Sequence, residues 1–113
     1  MGNDHIDLND LQHTVYRNVT KRGYLNGRTP WDVVQRQTLK AVEELGEVAR
    51  CVFDGEYPPA SEIADVAIPL FVMAQECGVD LLAEVLRKST ADIERGVRQP
   101  LQNDTSDNRA GEA

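Results

Sequence analysis

The sequence predicts an all-α protein: a four-helix, bundle-like single domain that self-association completes. Three observations lead there. Apolar residues recur at helical spacing in four stretches, each bounded by capping residues or by Gly and Pro. Hydrophobic residues make up 41% of the chain but aromatic ones only 5%, so the core is built from Val, Leu, Ile and Ala, as helix packing prefers. The third stretch is apolar all round, the mark of a helix surrounded by neighbours, and a 113-residue bundle gains much by burying such a surface against a second copy. The domain is expected over residues 1–98, with a polar, disordered tail over 99–113.

In chain order, Met1 to Leu8 is polar and expected to be loose. Asn9 is the expected N-cap of the first helix, with Gln12 as its capping-box partner. Leu11, Val15 and Val19 then recur every four residues, His13, Tyr16, Arg17 and Lys21 fall on the exposed face, and Lys21-Arg22-Gly23 closes the helix. Tyr24 to Arg28 is a connector carrying an Asn26-Gly27 turn signal. Thr29-Pro30-Trp31-Asp32 opens the second helix: Thr caps, Pro suits the first helical position and Asp closes the reciprocal cap. That helix is expected from Pro30 to Val52, with Val34, Thr38, Ala41, Val42, Leu45, Val48, Ala49 and Val52 as its apolar face. Trp31 reads as a packing anchor, with stacking against a base as the other use.

Asp54 to Pro59 turns the chain. The third helix is expected from Ala60 to Cys77, ended by Gly78, with Pro69 inside it and a kink or local opening there because proline has no N–H for the carbonyl of Asp65. Asp80 caps a fourth helix through about Arg95, stopped by Gly96, with Leu82, Val85, Leu86 and Ile93 inward. On this hairpin Cys51 and Cys77 are offset by on the order of 25 Å, beyond disulfide reach, so both are expected as free, buried thiols. His5 and His13 lack ligand spacing and are expected on the surface.

A net charge of −7 argues against a nucleic-acid or anionic-membrane surface, which would need a basic patch. It does not argue against a nucleotide whose phosphates a cation bridges to the protein. No apolar run approaches the ~18 residues of a membrane span, and there is no signal-peptide pattern. A cytoplasmic location is expected.

Glu44 and Glu47 stand three apart on the second helix, Glu62 and Asp65 three apart on the third. Such spacing places each pair on one helix face. One ExxE pair is commonplace on a solvated surface. Two pairs at matched heights of a hairpin turning near Glu56 put four carboxylates around one small volume at the core's edge, where repulsion is stronger than in water. A divalent cation with a preference for oxygen relieves it: Mg²⁺, with Mn²⁺ as a substitute. Lys40, one turn before Glu44, is either a helix ion pair or a phosphate contact.

The run EELGE at Glu43–Glu47, followed fifteen residues after Glu47 by EIAD at Glu62–Asp65, resembles the MazG-like nucleotide pyrophosphohydrolases of the all-α NTP pyrophosphatase superfamily. The resemblance covers about Thr38 to Arg95, half the chain. It implies a homodimer or homotetramer that cleaves nucleoside triphosphates between the α- and β-phosphates, giving a monophosphate and pyrophosphate. It further implies Glu44, Glu47, Glu62 and Asp65 as magnesium ligands, and Glu43 or Glu47 as the base that orients the attacking water. Lys88 and Arg95 match the family's KxxxNxxR positions and hold substrate. Asp92 replaces the Asn of that pattern and lacks an amide donor.

Two other readings compete. A phosphoribosyl-ATP pyrophosphohydrolase shares the acid pairs and the size. A non-catalytic helical oligomerisation or partner-binding module would keep the acids without the chemistry. A di-iron bundle would need Glu-x-x-His pairs, which are absent from both acid motifs, and a helix-turn-helix would need a basic recognition helix.

Overall fold

The structure, a computed structural model, describes residues 7–23 and 25–98, with side chains to 96. The expected loose start at Met1 to Ile6 with His5, the Tyr24 position of the connector and the tail from Gln99 onward lie outside the described residues. The protein is all-α: α1 (Leu8–Lys21), α2 (Pro30–Phe53), α3 (Ala60–Glu76) and α4 (Leu81–Arg98). It divides into two compact units, Met1–Leu81 and Leu82–Ala113. Among the described residues no single helix is long and apolar enough to cross a membrane.

In the first unit α3 packs on both α1 and α2, as its all-round apolar sequence predicts. Val72 at its middle is fully buried, and with Val19 of α1 and Val33 of α2 it forms the core, against which Val15, Tyr16, Leu25 and Ile68 pack. The helix continues across the buried Pro69.

Helix ends follow local chemistry. At the start of α2 the Asp32 N–H donates to Thr29 Oγ1 (3.1 Å) and the Thr29 N–H to Asp32 Oδ2 (3.4 Å), the reciprocal cap the sequence spells out. Gly23, Gly27, Gly55 and Gly78 adopt positive φ where the chain leaves a helix or turns, a region that costs glycine nothing.

Several expectations are corrected. Asp7, not Asn9, caps α1: its carboxylate accepts from the Asn9 N–H at 2.9 Å. Both residue types can cap, and the choice of Asp7 frees Gln12 for a tertiary role. Gln12 Nε2 donates to Gln75 Oε1 (3.0 Å) and the Val79 carbonyl (2.8 Å), while its Oε1 accepts from the Leu81 N–H (3.0 Å). Tyr16 leaves the exposed face of α1, packs on the core and donates its hydroxyl to Glu76 of α3. On α2 the face turned inward runs through Val33 and Glu44, eleven residues and about 20° apart on the helical wheel. The expected stripe lies to one side of it, and Val42, Leu45 and Val52 are exposed. Trp31, about 200° round from Val33, is exposed and anchors nothing.

Cys51 is half-buried and Cys77, at the α3 C-cap, is exposed; both are free thiols. In the second unit α4 runs past Gly96 to Arg98, because Gly96 takes no left-handed turn and an interior glycine costs only about 1 kcal/mol. Val85, Leu86 and Ile93, expected inward, are exposed along it, as in part is Leu82.

Candidate metal centre

The hairpin of α2 and α3 brings three of the four paired acids together. One carboxylate oxygen from each of Glu44, Glu47 and Glu62 lies within 4.8 Å of the others. Glu44 is the most deeply set, 8% exposed, on the same inward face as Val33. Glu62 is half-buried and Glu47 exposed, so the cluster runs from the helix interface out to solvent.

Three carboxylates this close hold one another in an unfavourable state. Loss of hydration, then the charges of Glu47, Asp65 and Glu44 and a hydrogen bond with Glu47, push the Glu62 carboxyl above its ordinary range. Lys40 supplies the only countercharge that the described ion pairs bring to these acids. Its Nζ lies 3.0 Å from Glu44 Oε2 and 3.8 Å from Glu43 Oε1. The hydrogen bond to Glu44, then the charges of Glu44 and Glu43, raise its own pKa. Of the two uses read for Lys40, the helix ion pair is present.

Hard oxygen donors from two helices fit a divalent cation. Neighbouring ligands on one octahedral Mg²⁺ stand about 3.0 Å apart and opposed ones about 4.2 Å, since each bond is about 2.1 Å. The three oxygens, within 4.8 Å of one another, are near enough to share one such ion. Asp65 is outside the three-oxygen set. It stays close enough to perturb Glu62, and it lines, with Glu44, a groove of about 550 Å³. Glu43 also lies outside the set, largely exposed beside Lys40.

Lys88, Asp92 and Arg95 are brought together on α4. Lys88 Nζ lies 3.1 Å from Asp92 Oδ1, and Arg95 donates to the same oxygen. The Lys88 hydrogen bond, aided by the Lys88 and Arg95 charges and opposed by loss of hydration, holds Asp92 below its ordinary range.

Sequence reasoning missed three arginines. Arg22, Arg28 and Arg36 line the groove that also takes in Lys40, Glu44 and Asp65. Arg36 was legible: Arg36, Lys40 and Glu44 follow at four-residue steps along one strip of α2. Arg22 and Arg28 flank the α1–α2 turn, and only the packing of α1 and α2 around α3 brings them there.

No protein-family model, curated protein or solved structure matches this chain.

Proposed function

We propose that the protein is a magnesium-dependent nucleoside triphosphate pyrophosphohydrolase, acting between the α- and β-phosphates. The observation that carries this reading is the convergence of Glu44, Glu47 and Glu62 from two helices on one half-buried volume, with Asp65 at its edge. Lys40 opposes part of the repulsion among them, and a bound cation would oppose the rest.

Glu44, Glu47 and Glu62, with Asp65 drawn in, would hold the cation. When bound, Mg²⁺ supplies neutralisation of the triphosphate's charge and acidification of water. Glu43 or Glu47 orients a water and takes its proton as the water oxygen bonds to the α-phosphorus. The bond from that phosphorus to the α–β bridging oxygen breaks, and pyrophosphate leaves with the bond's electron pair. Lys40 holds substrate phosphate; on α4 the resemblance assigns Lys88 and Arg95 to substrate, and Asp92 sets how those two are aimed. Manganese serves in place of magnesium.

The exposed Leu39, Val42, Leu45, Val52 and Phe53 on α2 support a second element of the reading, a homodimer or homotetramer. So many large apolar side chains on one helix are a normal feature of subunit interfaces.

The test is a panel of nucleoside triphosphates with Mg²⁺, scored for pyrophosphate against single phosphate. Pyrophosphate release supports the reading, and phosphate alone would replace it with another hydrolase class. Turnover confined to phosphoribosyl-ATP would select the histidine-pathway type of pyrophosphohydrolase. No turnover and no cation binding would leave a helical oligomerisation module.

A further inference from the structure

We infer that the groove between the α1–α2 turn and the α2–α3 hairpin is a polyphosphate subsite, and that Arg36 is its principal phosphate-binding side chain. The inference rests on the pyrophosphohydrolase reading for the identity of the anion, a triphosphate tail, but not for the subsite itself.

The chain carries seven more acidic than basic charges, yet four of its twelve Lys and Arg residues line this one groove: Arg22, Arg28, Arg36 and Lys40. Gathering cations costs repulsion unless an anion lies among them. Lys40 pairs with Glu43 and Glu44. Arg22 and Arg28 have other interactions, so the weight falls on Arg36, which is exposed along the groove one turn before Lys40.

The groove has two chemical ends. Glu44 belongs to the three-acid cluster, Asp65 lies beside it, and Lys40 and Arg36 follow at successive turns of α2 away from Glu44. A triphosphate suits that polarity: its α-phosphate beside the carboxylates through a cation, its β- and γ-phosphates against the guanidinium groups. Guanidinium is the better partner because its planar fork gives paired hydrogen bonds to phosphate oxygens. About 550 Å³ is room for a nucleotide's phosphates with part of its sugar. Arg36 therefore binds the pyrophosphate that leaves, and its loss weakens substrate and pyrophosphate while sparing the monophosphate product.

The full chain is titrated calorimetrically with inorganic tripolyphosphate in Mg²⁺, as wild type, Arg36→Gln and Arg36→Lys, with circular dichroism to confirm that helix content is kept. Nucleoside triphosphate turnover is measured on the same samples. The expected result is a Kd about tenfold weaker for Arg36→Gln, as for loss of one charge-assisted hydrogen bond, with partial recovery in Arg36→Lys. In turnover, KM rises by a similar factor with kcat little changed, and inhibition by pyrophosphate, but not by monophosphate, weakens. Equal Kd in wild type and Arg36→Gln overturns the subsite, and so does a wild type that does not bind tripolyphosphate. Binding that depends on Arg36 without turnover of any triphosphate keeps the subsite and sinks the pyrophosphohydrolase reading. Turnover with binding indifferent to Arg36 does the reverse.

Discussion

The α2–α3 hairpin and α4 are both dense in charge, and they settle it in opposite ways. On α4, Glu84 pairs with Arg87, and Asp92 with Lys88 and Arg95, all within three or four residues along one helix. Those pairs would form in any copy of that helix. On the hairpin, Glu44, Glu47 and Glu62 meet across two helices with like charge, and Lys40 answers only part of it. A charge that neighbours along the chain can neutralise says little about function. A charge that the tertiary fold gathers and leaves unbalanced is a candidate ligand site.

The largest effect separating the two regions is catalytic. Glu47→Gln keeps the shape of the cluster but removes one charge, and pyrophosphate release is expected to fall by about a hundredfold or more, with helical circular dichroism unchanged. Retained turnover would take this carboxylate out of the mechanism.

A smaller effect comes from the cross-helix bond between Tyr16 and Glu76. The hydrogen bond to Glu76, then burial and the Glu76 charge, raise the Tyr16 phenol above its ordinary 10.0. Tyr16→Phe is expected to cost about 1 kcal/mol at neutral pH, a charge-assisted bond discounted for partial exposure. Because the folded pKa lies above the unfolded one, this contribution is fully present below pH ~10. It is lost as pH rises through the raised value. Thermal melts of both proteins across that range check it: the gap between wild type and variant should close on the alkaline side, and a gap of constant size would refute the assignment.

The smallest effect is on α4. Asp92→Asn breaks two exposed pairs within one helix, and exposed pairs contribute little. No resolvable change in melting temperature is expected. Substrate turnover should respond nonetheless if Lys88 and Arg95 hold phosphate, because a neutral amide no longer holds both cations by charge. A large loss of stability instead would show that these charges hold the helix in place.

The same contrast explains what could be read in advance. The cap at Thr29-Pro30-Trp31-Asp32 and the glycine stop at Gly78 are decided within four residues, so the start of α2 and the end of α3 fall within one residue of expectation. The acid spacing carried the convergence of Glu44, Glu47 and Glu62 because a helical hairpin fixes both period and height. What could not be read depended on partners distant in sequence. Gln12 chose Gln75, Val79 and Leu81 over its own helix end. The buried stripe of α2 turned toward Val33 and Glu44 because that is where α3 packs. Arg22 and Arg28 reached the groove only through the packing of the first unit, whereas Arg36 was available from its spacing to Lys40 and Glu44. Gly96 misled because a glycine permits a stop without requiring one.

Calorimetric titration of the metal-free protein with Mn²⁺, wild type beside Glu62→Gln, tests the centre most directly. Saturable binding in wild type that Glu62→Gln weakens by about a hundredfold is the expected result. A wild type with no saturable heat, or a variant that binds as tightly, would contradict a cation shared between α2 and α3.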